Sequence, residues 1–221
     1  MQAEISTEMQ DEIRSVLSDY GKTRERLTIR LCNREKNTEW LDGVVHRDFL
    51  DFAIVPYIDL SHITGFPSAG AVPYGMIREL GIPEDVIIND ALENSPKVKP
   101  AKISPLSALM NELMGLAADD PSLEGELNVL TVVTTDGVSH GAAAVLYPDV
   151  LKGLADEKEA DLLLIPSSVN EFLILADDKT MTKEELEALI REVNHDQVAE
   201  KERLSDYLYR YDRETGEIRR A

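Results

Sequence analysis

Between two apolar runs, Leu162 to Ile165 and Phe172 to Leu175, the chain places Ser167, Ser168 and Glu171 within five residues, in the stretch PSSVNE. Two hydroxyls beside a carboxylate are the raw material of nucleophilic catalysis or of a turn that grips a polar ligand. A G-x-S-x-G elbow needs small flanking residues, so that a strained strand-to-helix turn can expose the hydroxyl. Here Pro166 and Val169 flank the serines and a second apolar run follows, so the elbow is absent. The expectation is a corner between two antiparallel strands, its hydroxyls bonded to the local backbone. A ligand-gripping corner is the second reading, with a polar pocket formed by His46, Arg47, Ser167, Ser168 and Glu171. No motif ties the serines to His140 or His195 as a base.

Other chemistries lack their spacing. The four histidines, His46, His62, His140 and His195, are scattered and show no H-E-x-x-H, and one cysteine cannot supply a thiolate pair. The acidic DDKTMTKEE has neither the alternating oxygen ligands nor the glycine of a calcium loop. HRD at His46 to Asp48 copies the kinase catalytic loop in letters only, because the Gly-rich loop, its lysine and D-F-G are missing. Neither a P-loop nor a G-x-G-x-x-G occurs, and GFPSAGAVPYG has prolines where a phosphate cradle needs free amides. No cofactor and no metal are expected.

Charge bounds the partners. Asp plus Glu outnumber Lys plus Arg by 42 to 23, a net charge of -19 with no basic block along the chain. Such a surface repels phosphate backbones and anionic lipid, so neither nucleic acid nor membrane is expected as a partner. The lone Cys32 rules out an internal disulfide, and the acidic amphipathic N-terminus lacks the basic start and apolar run of a signal peptide. The expectation is a cytoplasmic protein of undetermined oligomeric state.

Stepping along the 221 residues, a capping box at Thr7 and Gln10 predicts a first helix ending before Gly21. RLTIRLCN alternates like a half-buried strand, and REKNTEWL reads as a short helix or turn. FLDFAIVPYIDL fits a strand or a buried helix, with Pro56 against the helix. GFPSAGAVPYG reads as a mobile loop, and PYGMIREL and PEDVIINDAL as two short helices. Ser104 is expected to cap a third helix, PLSALMNELMGLA, before the linker-like AADDPSLEGE. After it come a hairpin (LNVLTVV and GAAAVLY around Asp-Gly), a helix from Pro148, a second hairpin (DLLLIP and EFLIL), a helix capped by Thr182 and Glu185, and a last hairpin. The alternating Tyr207, Tyr209 and Tyr211 predict a half-buried strand face or a protein-binding patch.

This pattern predicts an α+β fold with a largely antiparallel sheet built from hairpins and helices packed on its face. The expected division is 1-118 and 119-221, or one continuous domain. LCNREKNTEWLDGVVHRDFLDFAIVPY, AAAVLYPDVL, DLLLIPSSVNEFLIL and VNHDQVAEKERLSDYLYRYDRETGEIR together resemble a family of uncharacterised bacterial proteins, a domain of unknown function common in gut Firmicutes. The resemblance runs from about Leu27 to Arg220 and implies no activity, substrate or cofactor. The expected function is a binding or regulatory module without catalytic activity. The alternatives are an enzyme of unrecognised type with its pocket near PSSVNE, or an acidic decoy of a basic protein.

Overall fold

A computed structural model of the chain describes residues 6-113, 115, 129-137, 139-179 and 182-221. The fold is α+β, and every strand pairing in its two sheets is antiparallel. The chain divides into two compact units, Met1–Lys99 and Pro100–Ala221. The expected boundary at 118/119 lies outside the described residues.

In the first unit, α1 (Thr7–Leu17) is capped by Ser6, whose hydroxyl accepts from the Met9 amide. The cap therefore sits one residue before the expected Thr7. A short α2 (Tyr20–Arg24) leads into β1 (Leu27–Asn33), followed by α3 (Thr38–Leu41), β2 (Arg47–Phe49) and β3 (Phe52–Asp59). β3 is central, with β1 on one side and β2 and then β4 (Ala69–Ala71) on the other. The ambiguous run is thus a strand, and Pro56 is tolerated inside it for a local reason. β2 pairs with residues 52-54 of β3 and β4 with 57-59, so Pro56 falls in the seam between them. There a missing N–H costs no ladder bond. Part of GFPSAGAVPYG is the strand β4 and not a loop. Its partner on β3 leaves that segment anchored.

Beyond α4 (Ser61–Thr64), α5 (Tyr74–Leu80) stops at Gly81, where φ is 67°. α6 (Glu84–Val98) runs past its expected end, through Pro96, because it packs along β1 and β3. It also closes the free edge of β1: Ser95 Oγ accepts from the Ile29 amide at 2.7 Å, and Asn94 donates to the Leu27 carbonyl at 3.0 Å. Ile87, Ile88 and Ala91 bury the apolar side of this helix.

In the second unit, Ser104 is a residue of β5 (Ala101–Pro105) and does not cap α7 (Leu106–Leu113). β5 pairs with β6 (Thr131–Thr135), and that ladder takes the residues that the helical reading had assigned to a cap. GAAAVL is not a strand: Gly141–Leu146 is a 3-10 helix packed on β6. After α8 (Val150–Lys158) come β7 (Leu162–Pro166), β8 (Phe172–Ala176), α9 (Lys183–Gln197), β9 (Tyr209–Tyr211) and β10 (Ile218–Arg220). The sheet order is β10-β9-β7-β8-β6-β5. The continuous apolar run of β7 is therefore central, with α9 on one face through Ile165, Leu186, Ile190 and Leu208. On the other face, α8 packs over Leu162 and Leu164, which are fully buried. Tyr209 and Tyr211 stand opposite Leu164 and Leu162 in register and are buried, whereas Tyr207 is 38% exposed. Two of the three tyrosines are thus core.

Candidate functional site

The PSSVNE corner joins β7 to β8, as its turn-forming residues imply. Ser168 Oγ accepts from the Asn170 amide and donates to Glu171 Oε1, both at 3.0 Å. The corner is tied down from three further sides. Thr134 Oγ1 donates to the Asn170 carbonyl at 2.7 Å, the His140 amide donates to Asn170 Oδ1 at 2.9 Å, and the Val169 amide donates to the Glu202 carbonyl at 2.8 Å. Ser168 is buried and both of its hydrogen-bonding capacities are used inside the turn. Ser167 makes no side-chain hydrogen bond among the described residues, so only one of the two hydroxyls stitches the corner. Ser139 Oγ lies 2.8 Å from His140 Nδ1, a contact between chain neighbours where His140 takes a left-handed φ of 58°.

His46 and Arg47 belong to the first unit and Ser167, Ser168 and Glu171 to the second. Each group is engaged within its own unit. His46 Nδ1 lies 3.0 Å from the Val44 carbonyl, and its ring meets Tyr74 edge-on. Arg47 reaches Asp85 and Asn89 on α6, pinning the short β2 to that helix. Among the described residues no group of three or more His, Cys, Asp and Glu side chains could hold a metal ion.

A different cluster, which sequence reasoning missed, surrounds a hollow of about 570 Å³ in the second unit. Its charged lining is Lys179, Lys183, Arg210, Arg219 and Arg220 against a single carboxylate, Asp177. The sheet builds its floor. Registers place Arg219 opposite Arg210, Arg210 opposite Leu163, and Leu163 opposite Leu175, one row across four strands on the face that α9 covers. Leu186 of α9 and Leu208 complete an apolar base. The N-terminal turn of α9 forms one wall and is already capped: Thr182 Oγ1 accepts from the Glu185 amide, and Glu185 reaches back to the Thr182 amide. Lys183 spans the hollow's edge, donating to the Ala221 main-chain oxygen.

The cations differ in how firmly they are held. Arg210 donates through Nε and Nη2 to Asp161, and Nη2 lies 3.2 Å from Asp177. The Arg213 amide and the Arg210 guanidinium hold the Asp161 carboxyl below its ordinary range, and Asp161 in turn raises Arg210. Lys179 pairs with Asp177, and Arg220 lies over the ring of Tyr207. Arg219 is exposed and has no ion pair among the described residues. It is the cation most ready for an incoming anion. A second hollow, in the first unit, between Ile13, Leu17, Met76 and Leu80, carries one arginine and one glutamate and so has no preferred sign.

Residues 2–213 match the model of a family described as "Family of unknown function (DUF5688)". No curated protein matches, and no solved structure matches. No helix among the described residues is long and apolar enough to cross a membrane.

Proposed function

This chain belongs to the DUF5688 family, and from that premise, which hands down no chemistry, we propose that it is a binding module whose ligand is an anion held in the basic groove of the second unit. One observation carries the reading. In a chain of net charge -19, five cationic side chains converge on one hollow that presents a single carboxylate. Arg210, Lys179 and Lys183 are each paired with a carboxylate of Asp161, Asp177 or Glu187, so among the described residues the uncompensated charge at the hollow is that of Arg219 and Arg220, which an anionic ligand neutralises. The apolar base of Leu163, Leu186 and Leu208 offers packing surface to the carbon chain of a ligand whose charge meets Arg219 and Lys183 at the exposed rim.

The overall acidity supports a small or short anion in preference to a nucleic acid or an anionic membrane, whose extended charge meets the rest of the surface. The single cysteine, which can form no internal disulfide, supports a reducing, cytoplasmic setting, and the family resemblance supports a bacterial source. The test is amide chemical-shift mapping of the full chain with glutarate and with inorganic phosphate. Shifts confined to residues around 183, 208-210 and 219-221, abolished by Arg219→Glu with Lys183→Glu, are the expected result. Absence of shifts there, or shifts of equal size in both units, overturns the reading.

A further inference from the structure

We infer that the anion is presented by a protein: an acidic, extended peptide segment of a partner adds as a strand along the outer edge of β10 and lays its carboxylates against Arg219 and Lys183. The inference rests on the anion-binding reading of the groove and specifies the form of the ligand.

β10 ends the strand order of its sheet, and among the described residues no strand pairs with its outer side. Its inner ladder shows which groups face outward. The Ala221 amide donates to Leu208 and the Asp212 amide to Glu217, so antiparallel alternation turns the amides and carbonyls of Ile218 and Arg220 away from β9. An extended peptide satisfies such a row with main-chain hydrogen bonds, and its side chains then supply specificity. On the α9 face, a residue paired with Arg219 continues the row Arg219, Arg210, Leu163, which is the floor of the groove. An acidic side chain there meets the unpaired Arg219 and comes alongside Lys183, with Arg220, held over the Tyr207 ring, as a further cation lining the same hollow.

The treatment of the other edges sharpens the case. β1, the corresponding end of the first sheet, is closed by the Ser95 hydroxyl and the Asn94 amide of α6. β5, the far end of the second sheet, carries one lysine and finishes in Pro105, which has no amide to donate. Of the two ends of the second sheet, β10 is the one that, among the described residues, combines an unpaired edge with adjacent basic residues and a groove. A second copy of this chain is the wrong occupant, because edge-to-edge pairing of β10 with itself sets arginines against arginines.

The experiment uses the full chain and a short, capped, fluorescent peptide of alternating glutamate and valine, followed by anisotropy. Three comparisons accompany it: the same peptide N-methylated at every second residue on the side facing β10, a lysine–valine peptide, and free glutarate. Binding that weakens at least about tenfold on N-methylation, and again in Arg219→Gln, supports strand addition. Arg219 is exposed and unpaired, so Arg219→Gln leaves the fold intact, and a thermal melt checks this. Equal binding of the methylated and unmethylated peptides overturns strand addition and leaves the anion reading standing. Failure of both peptide and glutarate to engage the groove overturns both. Binding of the lysine–valine peptide as tightly as the acidic one, or a dimer that Arg219→Gln dissociates, also overturns the acidic partner.

Discussion

Replacing Gly141 by alanine tests the packing that holds the Ser168 corner in place. A Cβ at this position would lie 2.3 Å from Thr134 Oγ1, 2.5 Å from the Thr135 amide nitrogen and 2.8 Å from the Asn170 carbonyl oxygen. Two of those atoms are backbone, in β6 and in the corner, and cannot rotate away. Accommodation requires the 3-10 helix to lift off the sheet. Overpacking of a dense core costs about 1 to 3 kcal/mol. Separating Thr134 Oγ1 from the Asn170 carbonyl, now 2.7 Å apart, adds roughly 1 kcal/mol. The expected loss is about 2 to 4 kcal/mol, or roughly 8 to 16 °C in the melting of a unit of this size at about 4 °C per kcal/mol.

The matched control is Gly153→Ala in α8, where an added Cβ meets nothing within 4 Å. On an exposed helix the same change stabilises, by about 0.5 to 1 kcal/mol. Calorimetry gives the melting of each variant, and hydrogen exchange of peptides covering β6 and residues 141-146 assigns the change to the second unit. A Gly141→Ala melt within about 2 °C of the parent, or a Gly153→Ala variant that falls with it, refutes the reasoning.

Ser168→Ala removes an acceptor for the Asn170 amide and a donor to Glu171, so it should cost about 1 to 2 kcal/mol, whereas Ser167→Ala should change stability by less than about 0.5 kcal/mol; equal effects in urea titrations would contradict the assignment. Asp161, Asp156, Asp212 and Glu185 all have their carboxyls held low by nearby amides and cations. The unfolded chain therefore binds protons that the folded one refuses, and the second unit should keep full stability above about pH 5 and lose it progressively as the pH falls below about 4. Asp161→Asn should be less stable than the parent at pH 7 and converge with it toward pH 2; a constant gap would show that Asp161 contributes nothing through its charge. Burial pushes the Cys32 thiol up to about 11, so iodoacetamide at pH 8 should modify the folded protein far more slowly than the urea-unfolded chain. Equal rates would mean that the thiol is not shielded.

The central hairpin of the second sheet was legible because each of its signals agreed. DLLLIP and EFLIL are too short for helices, PSSVN is turn chemistry, and an unbroken apolar strand requires cover on both faces, which α8 and α9 supply. GAAAVL misled because an apolar run after Asp-Gly satisfies the hairpin pattern. What decided it was the close approach of Gly141 to β6 and the corner, a tertiary contact that local periodicity does not carry. Ser104 misled likewise: Ser-Pro before an apolar run is a helix start until a partner strand claims it, and Ser104 pairs with Val132. The groove was invisible because its cations are separated in the chain, at 179, 183, 210, 219 and 220. Acidic neighbours at 212, 214 and 217 hide them in any running charge count. Strand register and the position of α9 create the cluster, and neither is written in composition.

The order β10-β9-β7-β8-β6-β5 also dictates a sequence of assembly. β7 and β8 are separated by residues 167-171, and β9 and β10 by 212-217, so these hairpins close at low entropic cost, in about 1 to 10 μs. β5 and β6 are joined only through residues 106-130, and β6 reaches β8 from residue 135 to residue 172. Their closure must wait until a template exists. The β7–β8 hairpin at the middle of the sheet is that template, so conservative truncations such as Leu164→Ala should slow folding, whereas Ile103→Val in β5 should act mainly by speeding unfolding. Chevron plots separate the two, and a β5 truncation that slows folding as much as one in β7 would assign the nucleus to the wrong strands. A fold with an early hairpin at its centre exposes the edges of β7 and β8 only briefly, because β9 and β6 add to a surface already in place.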